Sequence, residues 1–252
     1  SPPRLADASV ALPASFDAAA VVAALERGEP WVCTDFASAS EVSAAHVEME
    51  ALDSAAALRS TAAGTTAGSA KARSDRVAFV QLREEPPTMD GGSPSPRCPP
   101  ACLTLYRRLE AAAAAIAWPR GGGQLLCPRV GMASVYDSSG ARYEAHRDND
   151  QVGEGRWINY RALTALVYVN LPGEFDRQED GGQLRCHIGA EATDQSGATA
   201  KRTLDVPPRG GTAVLFDARR VLHEVLPSHA RRFALTLWFP LAAAAAPLLS
   251  PA

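Results

Sequence analysis

From residue 130 to residue 239 the chain is a series of short apolar runs separated by Gly, Pro and Asp. The runs are VGMASVY (130–136), ALTALVYVN (162–170), GQLRCHI (182–188), TLDV (203–206), TAVLF (212–216), LHEVL (222–226) and RFALTLWF (232–239). Each is too short for an ordinary helix and rich in the β-branched and aromatic residues that suit a pleated surface. Upstream the pattern is different. Residues 40–59 place Val42, Ala45, Met49, Leu52 and Ala56 at helical spacings of three and four, with Ser40 as the expected N-cap. Residues 101–118 repeat that spacing through Cys102, Leu105, Leu109, Ala112 and Ile116. Between them RVAFVQL (76–82) reads as a strand, and the Pro- and Gly-rich stretch 84–100 as a loop. Helices first and many strands after predict a mainly β fold, an antiparallel sandwich or barrel buttressed by flanking α-helices.

The organisation expected is a single domain over 1–252, with a helical support region at about 15–120 and a β core at about 125–240. Two polar inserts, 149–160 and 189–202, read as mobile surface loops. The net charge of −3 offers no basic footprint, so neither nucleic acid nor a membrane surface is an expected partner. Five scattered cysteines, an odd number, read as free thiols of a reducing compartment, cytoplasmic or nuclear. The opening SPPRLADASV carries neither the basic nor the apolar region of a secretory signal.

The chemistry is carried by few residues. His146 and Asp148 are two apart, and on an extended strand both side chains would face the same way. Taken alone, such a pair is more often an ordinary polar pair near a turn. His223 supplies a third ligand type on a later strand. Two histidines and one carboxylate occupy half of an octahedron and leave three positions open, which suits Fe(II) that must bind further reactants. A structural zinc site would need a fourth ligand, and none is evident. On the last strand, Arg232, Ala234, Thr236 and Trp238 alternate with Phe233, Leu235, Leu237 and Phe239. An arginine opposite an apolar face either binds a buried anion through its guanidinium fork or lies at a rim beside a carboxylate. His46 and His187 read as packing or surface residues, and His229 as solvated in a turn.

The order H-x-D, a distant His, and an Arg nine residues beyond it resembles the 2-oxoglutarate and Fe(II)-dependent dioxygenases. It is most similar to the prolyl 4-hydroxylases that act on hypoxia-inducible factor and to their microbial and algal relatives. MASVYDSSGARYEAHRD, RALTALVYVN, DGGQLR and HEVLPSHARRFALTLWF carry the likeness. The resemblance implies a double-stranded β-helix, or jelly roll, as the core. It implies His146, Asp148 and His223 as iron ligands. Arg232 and Tyr168 would hold the distal carboxylate of 2-oxoglutarate, in a pocket lined by Tyr136, Leu166 and Thr236. Trp238 and Met132 would border the metal, and Arg161 would face the substrate. Asp75 either corresponds to a family position that pairs with a basic group near the substrate or is a surface Asp before a strand. The implied small molecules are Fe(II), 2-oxoglutarate, dioxygen and ascorbate. The implied activity converts a proline in a protein or peptide to 4-hydroxyproline, with succinate and CO2 as products. Two alternatives stand beside it: oxidation of another side chain or a free amino acid, and a catalytically silent jelly roll that only binds. The lengths of the two inserts leave the substrate open, and lysine is usual in collagen-type prolyl hydroxylases where this chain has Arg232.

Overall fold

The computed structural model describes residues 10–60, 73–83, 95–119, 123–152, 156–189 and 202–242. Its organising strand is β13 (Arg232–Pro240), which is buried on both faces. Phe233, Leu235, Leu237 and Phe239 enter a large apolar cluster beneath the helices, whereas Ala234 enters a second cluster between two sheets. The sequence alternation on this strand therefore separates two cores, one structural and one surrounding a cavity.

Three helices pack on the outer face among the described residues: α1 (Ala18–Arg27), α2 (Ala39–Ser54) and α3 (Pro100–Ala115). The N-cap of α2 is Ser38, not Ser40. Ser38 and Glu41 form a reciprocal capping box, an arrangement that requires an acid three residues after the cap. The helix also stops earlier than its apolar spacing suggests. Ala56 turns to a positive φ of 54°, and the chain leaves α2 for β2 (Arg59–Ser60). Nor does α3 extend to residue 118, because Ile116 is already extended. Its first turn has no cap of its own; Glu48 of α2 accepts the backbone N–H groups of Ala101 and Cys102 at 2.9 and 2.8 Å.

The larger sheet has seven strands in the order β1-β11-β8-β13-β4-β3-β2. Its other members are β1 (Trp31–Cys33), β3 (Arg76–Gln81), β4 (Val130–Tyr136), β8 (Arg161–Tyr168) and β11 (Ala213–Asp217). The smaller sheet has four strands in the order β10-β9-β12-β5. They are β5 (Ala141–His146), β9 (Leu184–Ile188), β10 (Arg202–Val206) and β12 (Leu222–Ser228). Every pairing in both sheets is antiparallel. Tyr136, Leu166, Tyr168 and Phe216 of the larger sheet pack with Leu184, Cys186 and Val225 of the smaller one, closing a double-stranded β-helix.

The insert at 149–160 departs from its expected form. It contains a small hairpin of β6 (Gln151–Val152) and β7 (Arg156–Trp157), and its first residue, Asn149, is fully buried. Residues 84–94 and 190–201, most of the other two expected loops, lie outside the described residues. At Gly181–Gly182 both residues have positive φ, and a Cβ on Gly181 would lie 2.1 Å from the Pro227 carbonyl oxygen. This turn needs glycine for close approach as well as for its dihedrals. All five cysteines are buried and unpaired. No helix among the described residues is long and apolar enough to cross a membrane.

Candidate active site

Register in the smaller sheet brings the two histidines together. His223 on β12 is the direct partner of His146 on β5, with ring centroids 4.3 Å apart. Asp148 reaches them differently from the way sequence spacing suggests. β5 ends at His146, and Asp148 lies in the bend that follows, so strand parity is not what turns its carboxylate inward. Its carboxylate oxygens lie 3.8 Å from each histidine Nε2. One donor atom from each of the three residues falls within 4.8 Å of the others, a spacing at which all three can touch one ion.

The histidine tautomers follow from the hydrogen bonds. His146 Nδ1 donates to the Glu144 carbonyl at 2.8 Å, and His223 Nδ1 donates to the Val221 carbonyl at 3.1 Å. A carbonyl can only accept, so each ring carries a hydrogen on Nδ1 and turns its Nε2 toward Asp148. Thr164 on the facing sheet donates to Asp148 Oδ2 at 2.6 Å. Burial works to raise the Asp148 carboxyl, but His223, His146, Arg161 and the Thr164 hydroxyl outweigh it and hold it below the usual range. The group is therefore an anion in a buried place, as a metal ligand must be.

Deeper in the cavity, Arg232 pairs across the sheet with Tyr136 of β4, and its neighbour Ala234 pairs with Tyr168 of β8. This register places the guanidinium over both rings, 4.7 and 4.9 Å from their centroids, and 3.3 Å from the Tyr168 hydroxyl. Arg232 is 2% exposed, and no ion pair to it occurs among the described residues. Its Nε has no hydrogen-bond partner there. Burial pushes both tyrosines up, so they remain neutral phenols. Leu166 and Thr236 line the same cavity beside Arg232. A buried cation beside neutral hydroxyls is a receptor for an anion, not a surface ion pair.

The mouth carries Met132, Trp238, Arg161 and Arg73. Arg161 stacks on Trp238 at 3.7 Å and comes 3.7 Å from Asp148 Oδ1. Asp75 does not line the cavity, but the surface alternative for it fails because it is fully buried. It grips Arg73 through two bonds of 2.7 and 2.5 Å, and Arg73 lies over Tyr143, which stacks on His146 at 3.7 Å between centroids. Arg73 and Tyr143 were not singled out from the sequence. Tyr143 has only alternation on β5, whose apolar content is low, as its signal, and Arg73 lies outside the named strands, joined to Tyr143 by an isolated bridge.

The remaining histidines lie elsewhere. His46 Nδ1 donates to the Val169 carbonyl under the helices, His187 pairs with Glu224 at 3.0 Å, and His229 is exposed. Arg231 points away from the cavity toward Glu50 and Asp53.

Residues 131–240 match the family model of the 2OG-Fe(II) oxygenase superfamily. A hypoxia-inducible factor prolyl hydroxylase of Caenorhabditis elegans is 35% identical over 109 residues, which is 43% of this chain and 13% of that protein. The alignment thus spans a small part of that relative's length. A prolyl hydroxylase from Trichoplax adhaerens, solved with a hypoxia-inducible factor peptide fragment, superposes with TM-score 0.64 at 21% identity, covering 87% of each chain. A Pseudomonas putida prolyl-4-hydroxylase superposes with TM-score 0.61 at 24% identity, over 89% of this chain and 98% of that one. At these identities the superpositions establish likeness of fold.

Proposed function

We propose that residues 131–240, which match the 2OG-Fe(II) oxygenase family model, form an oxygenase domain and that this protein hydroxylates a prolyl residue in a protein or peptide. The observation that carries the reading is the pairing, in one cavity, of an open three-ligand cluster with a buried arginine that makes no ion pair among the described residues. A protein that only bound a peptide would have no use for a second, anion-seeking pocket beside a metal site.

The residues fit the groups the family uses. His146 and His223 offer their Nε2 atoms, and Asp148 offers a carboxylate held by Thr164. Arg232 and the Tyr168 hydroxyl would receive the distal carboxylate of 2-oxoglutarate, with Tyr136, Leu166 and Thr236 as its walls. Fe(II) and 2-oxoglutarate, when bound, supply the oxidising power, consuming dioxygen and releasing succinate and CO2. The protein's part is positioning and exclusion of water. Phe216, Leu166 and Val225 keep the cavity wall apolar, while Arg161, flattened on Trp238, presents donors toward the mouth where a peptide backbone would lie. The prolyl assignment draws on the relatives named above, which are prolyl hydroxylases.

The test is turnover of the purified chain with Fe(II), ascorbate and 2-oxoglutarate against a broad library of proline-containing peptides. Succinate release matched by a 16-dalton gain mapped to proline, and lost in His223→Ala, is the expected result. Matched succinate release with oxygen on another residue type would replace proline as the substrate. Absence of any 2-oxoglutarate turnover would reject the enzymatic reading.

A further inference from the structure

We propose that Asn159, working with Asn149, is a positioning residue that staples the metal ligand Asp148 to the mouth residue Arg161 across the 149–160 insert. The proposal rests on the metal reading given above. It starts from two asparagines ten positions apart, one directly after Asp148 and the other two before Arg161.

Both carboxamides bond backbone groups through nitrogen and oxygen alike. Asn149 Nδ2 donates to the carbonyls of Asn159 and Arg161 at 3.0 and 2.7 Å, and its Oδ1 accepts the Asn159 N–H at 3.2 Å. Asn159 Nδ2 donates to the Asp148 carbonyl at 2.8 Å, and its Oδ1 accepts the Arg161 N–H at 2.9 Å. The two ends of the insert are thus closed on each other by reciprocal side-chain bonds, next to the Ile158 N–H bond to the Asp150 carbonyl at 2.9 Å and the β6–β7 pairing. Such a closure is directional, because an amide satisfies donor and acceptor only in one orientation.

Both ends of the staple bear on the site. Asp148 lies beyond the end of β5, so no strand pairing holds its backbone; the Asn159 amide does so instead. Arg161 opens β8, and its guanidinium approaches Asp148 at 3.7 Å while stacking on Trp238. The staple is anchored in turn to the segment that leads to His223. Asn149 N–H donates to the Ala218 carbonyl at 3.0 Å, and Arg219 lies over the Trp157 ring at 4.8 Å. The base of the insert is therefore a built wall joining both ligand-bearing segments, rather than a free loop. Partners that orient a metal ligand typically change affinity by roughly 10–100-fold when removed, and Asn159 acts through the ligand's backbone, so the lower figure applies.

The experiment is titration of the full chain with Mn(II), free ion being read by electron paramagnetic resonance, without co-substrate or turnover. Asn159→Ala is expected to weaken Mn(II) binding about 10-fold and to raise peptide KM more than it lowers kcat, with near-ultraviolet dichroism retained. The Arg161 amide, protected from hydrogen exchange in the wild type, is expected to exchange faster. Ile158→Ala, a change of an exposed side chain on the same insert, is expected to leave Mn(II) affinity at the wild-type value. Should Asn159→Ala fail to fold, Asn159→Ser keeps one short hydroxyl bond and is expected to give an intermediate loss. Wild-type binding with unchanged affinity and exchange in the asparagine variants overturns the staple alone. Equal weakening by Ile158→Ala also overturns it. A wild type that binds no Mn(II) overturns the metal reading and the staple together.

Discussion

Replacing Arg232 by methionine separates what this residue contributes to the fold from what it contributes to ligand binding. The guanidinium is 2% exposed, makes no ion pair among the described residues, and has an Nε without a partner. Apolar residues of similar volume in place of buried ionic groups are often neutral or stabilising, by about 1–4 kcal/mol. Against this stands the Tyr168 hydroxyl, fully buried and bonded to Arg232 at 3.3 Å, which loses that partner at a cost of about 1–3 kcal/mol. The two effects are of similar size and opposite sign, so Arg232→Met is expected to move the unfolding midpoint of the unliganded protein little. Binding is another matter. A guanidinium fork on a carboxylate makes two charge-assisted bonds at about 1.5–3 kcal/mol each. Their loss raises the Kd for 2-oxoglutarate roughly 10²- to 10⁴-fold. Calorimetric titration of the Mn(II)-loaded protein with 2-oxoglutarate under nitrogen, beside thermal melts of the unliganded forms, measures both. Strong destabilisation together with wild-type affinity would mean that Arg232 is a structural residue and the anion pocket lies elsewhere.

Thr164→Val keeps the shape of the side chain but removes the 2.6 Å bond to Asp148 Oδ2; Mn(II) affinity should fall about 10-fold with the melting temperature nearly unchanged, and unaltered affinity would show that the hydroxyl does not orient the ligand. Glu48→Ala removes the cap that α2 lends to α3, and about 1 kcal/mol of stability with it, seen as a fall of about 2–4 °C in melting temperature. Glu41 is held down to about 2 from an ordinary 4.5, chiefly by its bond to Arg108, with burial opposing and Ser38 assisting. A carboxylate depressed in the folded state stabilises fully above its unfolded value, and that contribution fades as pH falls from about 4.5 toward 2. Its full-strength equivalent is about 3.4 kcal/mol, but the side chain is 32% exposed and screening reduces the expected effect to about 1 kcal/mol. Urea midpoints of wild type and Glu41→Gln should differ by that amount at pH 6 and converge near pH 2.5; a gap independent of pH would refute the assignment.

What the residues reveal before folding divides along a physical line. Alternation on β13 is legible because burial repeats with the strand's own period, and the larger sheet follows from it. His146 and His223 are legible not singly but through their order with Asp148 and Arg232 along the chain. Asp148 is a harder case. Spacing of two places it beside His146 only if the strand continues, and the strand stops at His146; the carboxylate turns inward because Asn159 and Ala218 hold the bend. Asp75 shows the same limit. Neighbouring residues read as a polar lead-in to β3, yet Arg73, two positions earlier, folds over the carboxylate and buries it. Ser38 rather than Ser40 caps α2 because only Ser38 has an acid three residues on, a signal that is readable once the reciprocal bond is considered.

The 149–160 insert carries this reasoning furthest. More than half of its residues are Asn, Asp, Gln, Gly and Glu, as in a solvated loop, and composition is blind to where a carboxamide points. Side-chain bonds to backbone have no periodicity, so nothing like the alternation of β13 announces them. Their legible trace is positional: an amide residue abutting a metal ligand at one end of an insert, and a second two residues before the next strand begins at the other. An insert that must deliver Arg161 to the mouth without disturbing Asp148 needs its ends tied, and the short carboxamide is the side chain able to tie backbone donors and acceptors at once.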